Sequence, residues 1–391
     1  MVRTMSFVRA LLRAVRAVRH TPHLAADLPG DEELLLDAPD GRLGPALVAA
    51  ARGEYAGAAE LLATTRESAE WENRDRYTMR LAAFAVSRPD WLADWLAAAP
   101  RDPDALLVKA ELAIVRAWGS PARAELLREI APLIDAAASA EPADPVPWRI
   151  ALDHARGTHA PHTAFESLWA EAVGRSSHHY GCHVAALQYL SAQWYGSHRE
   201  CFGFAEEAAA DALPGSLVQA LPVRAAFACL AADGSGAPTG RQSPRELFRE
   251  RIDAAADLAI ALSAAYEPGD PWPAEVRNLL AYVLVVRERW EEALEQFRRI
   301  GPYATAFPWA RLDDDPLGRF TELRDGVRRQ VAARTPPGRE RGPAGIPAGP
   351  VGAPGQPPGR APQKASGRAA GLPGAGVLGK PGRSRSGDHY A

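Results

Sequence analysis

At 391 residues the chain is longer than one ordinary compact domain, unless it grows by stacking repeats. Hydrophobic residues at 47% against charged residues at 24% argue against a fibrous or wholly disordered protein. The net charge of −3 divides unevenly, with five arginines and no acid in residues 1–20, +6 from residue 335 onward, and therefore −14 between them, an acidic body with two basic ends.

The amino-terminal stretch sets Val8, Leu11, Leu12, Val15 and Val18 on one helical stripe, interrupted throughout by Arg9, Arg13 and Arg16. Arginine at that density is incompatible with the continuous apolar core of a secretory signal, and no later stretch reaches about 18 uninterrupted apolar residues. The expectation is a basic amphipathic helix docked on the acidic body, with contact to an anionic membrane surface or to nucleic acid as the alternative. Cys182, Cys201 and Cys229 form an odd set without C-x-x-C spacing, which argues against a disulfide framework and fits a reducing cytoplasm.

After a polar connector near residues 20–30, helical signals follow one another. Glu54, Tyr55 and Ala58 mark the second half of a helical hairpin, and residues 76–86 and 89–98 form another pair. Within the latter, Trp91 and Trp95 stand one turn apart and are expected to be buried against a neighbouring helix rather than to form a ligand platform. Acceptor side chains followed by proline mark helix starts at Asp102-Pro103, Ser120-Pro121, Ser243-Pro244 and Asp315-Pro316. Pro132 is expected to kink or split the helix after Ser120, and Thr163 with Glu166 to form a capping box. Short linkers between these starts force consecutive helices to pack antiparallel.

Residues 178–210 show the construction most clearly. Tyr180, Val184, Leu187, Ser191 and Trp194 recur at four-three-four-three spacing on one helical stripe. Gly196 breaks the helix, and Ser197 with Glu200 caps a second one whose apolar face is Cys201, Phe204, Ala205 and Ala208. Trp194 is expected to be buried opposite Ala205, and His183 to be surface-like. A hairpin of this size cannot bury both its faces alone, so it needs like neighbours. From residue 335 the composition changes to 14 Gly and 11 Pro among 57 residues, too poor in apolar surface to offset the entropy of ordering.

Leu280, Ala281, Trp290, Ala293, Phe297 and Ile300 resemble a tetratricopeptide repeat; Tyr55, Ala58 and Leu62, and His198, Cys201, Ala205 and Ala208, resemble it more weakly. A wider resemblance spans roughly residues 100–210. Ala117-Trp118-Gly119, then Glu141-Pro142-Ala143-Asp144-Pro145 with Trp148, then Trp194-Tyr195-Gly196-Ser197 ahead of Phe202-Gly203-Phe204-Ala205 are similar to a bacterial helical family known as a domain of unknown function. That resemblance implies an α-helical repeat-like fold and brings no catalytic residues with it.

For chemistry, seven of the ten histidines fall between residues 154 and 198, and His179 and His183 stand one turn apart, a spacing that suits two imidazoles on one metal ion. A zinc-protease motif needs Glu directly after the first histidine, and Tyr180 occupies that place. No phosphate-binding loop and no G-x-S-x-G elbow occurs, and Asp313-Asp314-Asp315 lacks the ligand spacing of a calcium loop. The reading is therefore an all-α, tetratricopeptide-like array of antiparallel helical hairpins over residues 31–334, with a basic helix and connector over 1–30 and a disordered tail over 335–391. No catalytic residue and no cofactor is expected. The leading expectation is a non-catalytic interaction module offering a groove to a protein or peptide, with His179, His183, Gln193 and Tyr195 as its partner surface. Nucleic acid is not the expected partner, and no transmembrane segment is expected. The competing readings are a metal-dependent enzyme using residues 178–198 and an adaptor that binds anionic surfaces through the basic ends.

Overall fold

A computed structural model describes residues 28–232 and 243–334, all of which belong to one compact unit. The described residues form seventeen α-helices, named here in chain order. The first seven are α1 (Leu43–Ala51), α2 (Ala56–Glu67), α3 (Trp71–Ser87), α4 (Asp90–Ala98), α5 (Pro103–Trp118), α6 (Arg123–Ala140) and α7 (Val146–Gly157). Then come α8 (His162–Arg175), α9 (Tyr180–Tyr189), α10 (His198–Asp211), α11 (Leu221–Ala232), α12 (Pro244–Leu247) and α13 (Arg249–Ala264). The last four are α14 (Ala274–Val286), α15 (Trp290–Ile300), α16 (Ala306–Leu312) and α17 (Pro316–Arg334). The fold is all-α, built of antiparallel helical hairpins. The expected first helix and the expected disordered tail lie outside the described residues.

Helix starts follow the capping chemistry except at Ser120-Pro121, where Ser120 accepts from the Ala122 amide at 3.1 Å in a turn and α6 starts only at Arg123 without a side-chain cap; three further expectations are corrected. Asp102 accepts from the amides of Asp104 and Ala105 at 2.9 and 3.0 Å, and Ser243 and Ser197 cap α12 and α10 through the amides of Glu246 and Glu200. Asp315 accepts from the Gly318 amide at 3.0 Å and opens α17. The capping box expected at Thr163 and Glu166 does not form, because α8 starts at His162 directly after Pro161 and no side chain caps it. Pro132 does not split α6, which is continuous around it. Its ring lies on the exposed side, where the carbonyl left without a donor can be reached by water. The third correction is to the hairpin at 178–210. Helix α9 ends at Tyr189, and a turn held by Trp194 N–H to the Ser191 carbonyl (2.9 Å) and Tyr195 N–H to the Tyr189 carbonyl (3.0 Å) leads onward. Gly196 is required there because a Cβ would fall 2.2 Å from the Leu190 carbonyl oxygen. Trp194 therefore leaves the stripe and is half-buried, while Ala205 packs in the core with Leu187 and Cys201.

Buried apolar residues run along the chain in four linked clusters. Helix α5 gives Ala105, Val108 and Leu112 to the first cluster and Leu107, Ala110 and Ile114 to the second. Helix α7 likewise divides Val146, Ile150 and Ala151 from Leu152 and Ala155. A helix with apolar residues on two faces is what a stacked array requires of its interior members. Trp91 and Trp95 are buried as expected, with Tyr55 stacked on Trp95 at 6.0 Å. Leu280, Ala281, Ala293, Phe297 and Ile300 all face the last core.

The two ends of the described chain are fastened together. Leu34 enters the core beside α17, and Leu35–Leu36 (β1) pairs in parallel with Tyr303–Ala304 (β2). Arg324 on α17 donates to the Pro29 carbonyl at 3.0 Å. Halfway along, the Tyr180 amide at the start of α9 donates to Glu72 of α3 at 2.7 Å, across 108 residues of sequence.

Candidate functional site

Helices α3, α5 and α7 bury charge where an apolar stripe would be expected. On α3, Arg74 shares the inward face with Tyr77, Thr78, Leu81 and Ala82; on α5, Glu111 stands one turn from Leu107 and Val108; on α7, Arg149 lies between Val146 and Asp153. Arg74, fully buried, pairs with Asp144 at 2.6 Å and Asp104 at 2.7 Å and donates to the Leu62 carbonyl at 2.9 Å. Arg149 pairs with Asp75 at 2.8 Å, Glu111 at 2.7 Å and Asp153 at 3.3 Å. Removing two guanidiniums and four carboxylates from water is tolerable only because each charge meets its opposite at contact distance. Carboxylates outnumber cations among the buried members, and burial pushes the pKa of Glu111 and Asp144 upward against the pull of Arg149 and Arg74. None of the candidate residues drawn from the sequence belongs to this network. The signal was present in the spacing, since Arg74, Glu111 and Arg149 each occupy an i, i+3/i+4 place on an apolar stripe.

The histidine region adjoins this network and differs from the expected surface. His179 is 1% and His183 5% exposed, so neither can belong to a partner surface in this state. His179 is the N-cap of α9, where its Nδ1 accepts from the Cys182 amide at 3.2 Å while Nε2 faces the Trp71 carbonyl at 3.3 Å. Burial opposes a proton on this ring; an ionised Cys182, Glu72 and Asp75 would together raise its pKa to about 10. The Cys182 thiol instead donates to the Pro145 carbonyl at 3.9 Å, and an amide aimed at Nδ1 requires a lone pair there, so His179 is neutral with its proton on Nε2. His183 donates from Nδ1 to the His179 carbonyl at 2.9 Å and packs edge-on against Trp169 at 5.0 Å, and burial lowers its pKa. Three of the four imidazole nitrogens are thus engaged by backbone groups. Among the described residues no group of three or more His, Cys, Asp or Glu side chains is placed to hold a metal ion. Gly181 fits between the two systems because a Cβ would lie 2.1 Å from Asp75 Oδ2 and 3.1 Å from His179 Cε1. Burial pushes the Cys201 thiol up to about 12, far from a nucleophile's range.

Gln193 and Tyr195, the other two expected partner residues, do reach the surface. Gln193 is exposed and accepts from Arg311 at 3.2 Å. Tyr195 is half-buried, donates to the Arg156 carbonyl at 3.2 Å and is hydrogen-bonded to His159. Beside them, Trp118 from the end of α5 meets Trp194 edge-to-face at 5.4 Å. The Arg123 guanidinium lies over Trp118 and Trp194 at 4.8 and 5.8 Å, and that of Arg156 over the same rings at 4.5 and 5.0 Å. Two indoles, two guanidiniums and a phenol, contributed by α5, α6, α7 and the turn after α9, thus meet at one half-buried place. The sequence held Trp118 and Trp194 in separate motifs 76 residues apart and gave no sign that they touch. Gly157 admits this contact, since a Cβ there would lie 2.4 Å from Leu127 and 3.1 Å from the Trp118 ring.

Among the described residues no helix is long and apolar enough to cross a membrane. Comparison with protein-family models, with curated proteins and with solved structures found no match to this chain.

Proposed function

We propose that this protein is a non-catalytic interaction module that binds another protein through the surface around Trp118, Trp194 and Tyr195. The observation that carries this reading is the gathering of Trp, Tyr and Arg side chains at a half-buried surface site. These residue types dominate binding energy at protein interfaces, because large rings and planar guanidiniums offer contact area at little cost in side-chain freedom. The tetratricopeptide-like character of the hairpins belongs to the same proposal and is supported by the packing of Ala281 against the α15 residues Ala293 and Phe297 in one core.

A photo-crosslinking amino acid at position 193, with a second variant carrying it at the exposed position 258, tests the reading in the native host. The expected result is a discrete protein–protein crosslink from position 193 and none from 258. No crosslink from 193, or equal labelling from both positions, would overturn it.

A further inference from the structure

The charges around the two indoles indicate what the partner presents. Arg123 makes no ion pair with any described residue, and its guanidinium lies over the rings of Trp118 and Trp194. Arg156 has one carboxylate, Asp153 at 2.8 Å, and that carboxylate is also held by Arg149 at 3.3 Å. The Arg156 Nε is buried and has no hydrogen-bond partner among the described residues. A guanidinium stacked on an indole uses its face and leaves its in-plane N–H donors free for a planar oxyanion. The site therefore offers the unpaired guanidinium of Arg123 beside two half-buried indoles, on a body that is otherwise acidic.

Resting on the interaction reading above, we propose that this cluster docks an acidic segment of a partner protein. A carboxylate of that segment engages Arg123, with the charge of Arg156 over the same two rings adding to the attraction, and a neighbouring apolar or aromatic side chain packs on Trp194. Charge complementarity selects this occupant over the chain's own ends, since residues 1–20 carry five arginines and no acid, and residues from 335 onward are also net basic.

The test is selection of random 12-residue peptides displayed on phage against the full chain, followed by binding titrations with the selected peptides in synthetic form. The expected peptides are rich in Asp and Glu beside an aromatic or branched aliphatic residue and bind more weakly as salt rises. Arg123→Glu and Trp194→Ala should each weaken binding at least tenfold, Arg123→Lys should weaken it measurably through loss of the fork, and Arg199→Glu, a charge-matched change on α10, should leave it unchanged. Melting curves within a few degrees of wild type establish that the variants are folded. Selected peptides without acids, or binding that survives Arg123→Glu, would overturn the proposal while leaving the interaction reading intact. No enriched peptide would overturn it as well, and only if the crosslink from position 193 also failed would both fall. Tighter binding of a 12-nucleotide single-stranded RNA than of any peptide, or self-association of the chain abolished by Arg123→Glu, would overturn it in favour of those occupants.

Discussion

Arg149→Met is the sharpest perturbation of the buried network. Methionine keeps an apolar stem of similar length in α7 and removes the guanidinium that lies 2.8 Å from Asp75 and 2.7 Å from Glu111. Asp153 retains Arg156 at 2.8 Å and sits nearer the surface, so its loss is secondary. Two buried carboxylates then lack their cation and must either take up protons or bear their desolvation. Removing one partner of a buried ion pair costs about 3–5 kcal/mol. For a body of this size each kcal/mol moves the melting temperature by roughly 2–4 °C, so a fall of roughly 10 °C is expected by calorimetry or circular dichroism. Adding Glu111→Gln to Arg149→Met should recover part of the loss, because one orphaned charge disappears. A single variant that melts within about 2 °C of wild type, or a double variant worse than the single, would refute the account of this network.

Glu111 has a raised pKa in the folded state through burial, so its contribution is fully present below its ordinary value of 4.5 and is lost as pH rises. Glu111→Gln should therefore gain on the wild type as pH rises above 4.5 in urea titrations, and a gap that is constant or reversed would contradict this. Gly181→Ala should destabilise by about 1–3 kcal/mol, because its Cβ would fall 2.1 Å from Asp75 Oδ2, whereas Gly174→Ala in α8 meets nothing within 4 Å and should be neutral or slightly stabilising. His183→Ala should cost about 1–3 kcal/mol through loss of its ring packing on Trp169 and its bond to the His179 carbonyl, with no change in the melting temperature of the wild type on adding chelator. Stabilisation that chelator removes would restore the metal reading of His179 and His183.

The all-α architecture was legible because its determinants are local. Asp102, Ser197, Ser243 and Asp315 cap helices by bonds spanning two or three residues, and the apolar spacing of Leu280 to Ile300 fixes which face is buried. The end of α9 was missed because it depends on a backbone approach between Gly196 and Leu190 that no propensity records. The histidines misled for a related reason. One-turn spacing places His179 and His183 on the same helix flank, yet what each ring bonds to is set by Trp71, Trp169 and the backbone of α9. Arg74 and Arg149 find Asp144 and Asp75 70 and 74 residues away, so only the intrusion of charge into an apolar stripe could have announced those pairs. The Trp118–Trp194 contact is longer-range still and had no periodic signal.

Hydrogen–deuterium exchange of the full chain, alone and saturated with a selected acidic peptide, tests the central claim most directly. The account predicts added protection in three separate segments, residues 118–123, 154–159 and 191–196, which the fold brings to one surface, with the buried pairs of Arg74 and Arg149 unchanged. Protection confined to another surface, such as residues 206–219 with 258–265, or no protection under saturating peptide, would contradict it.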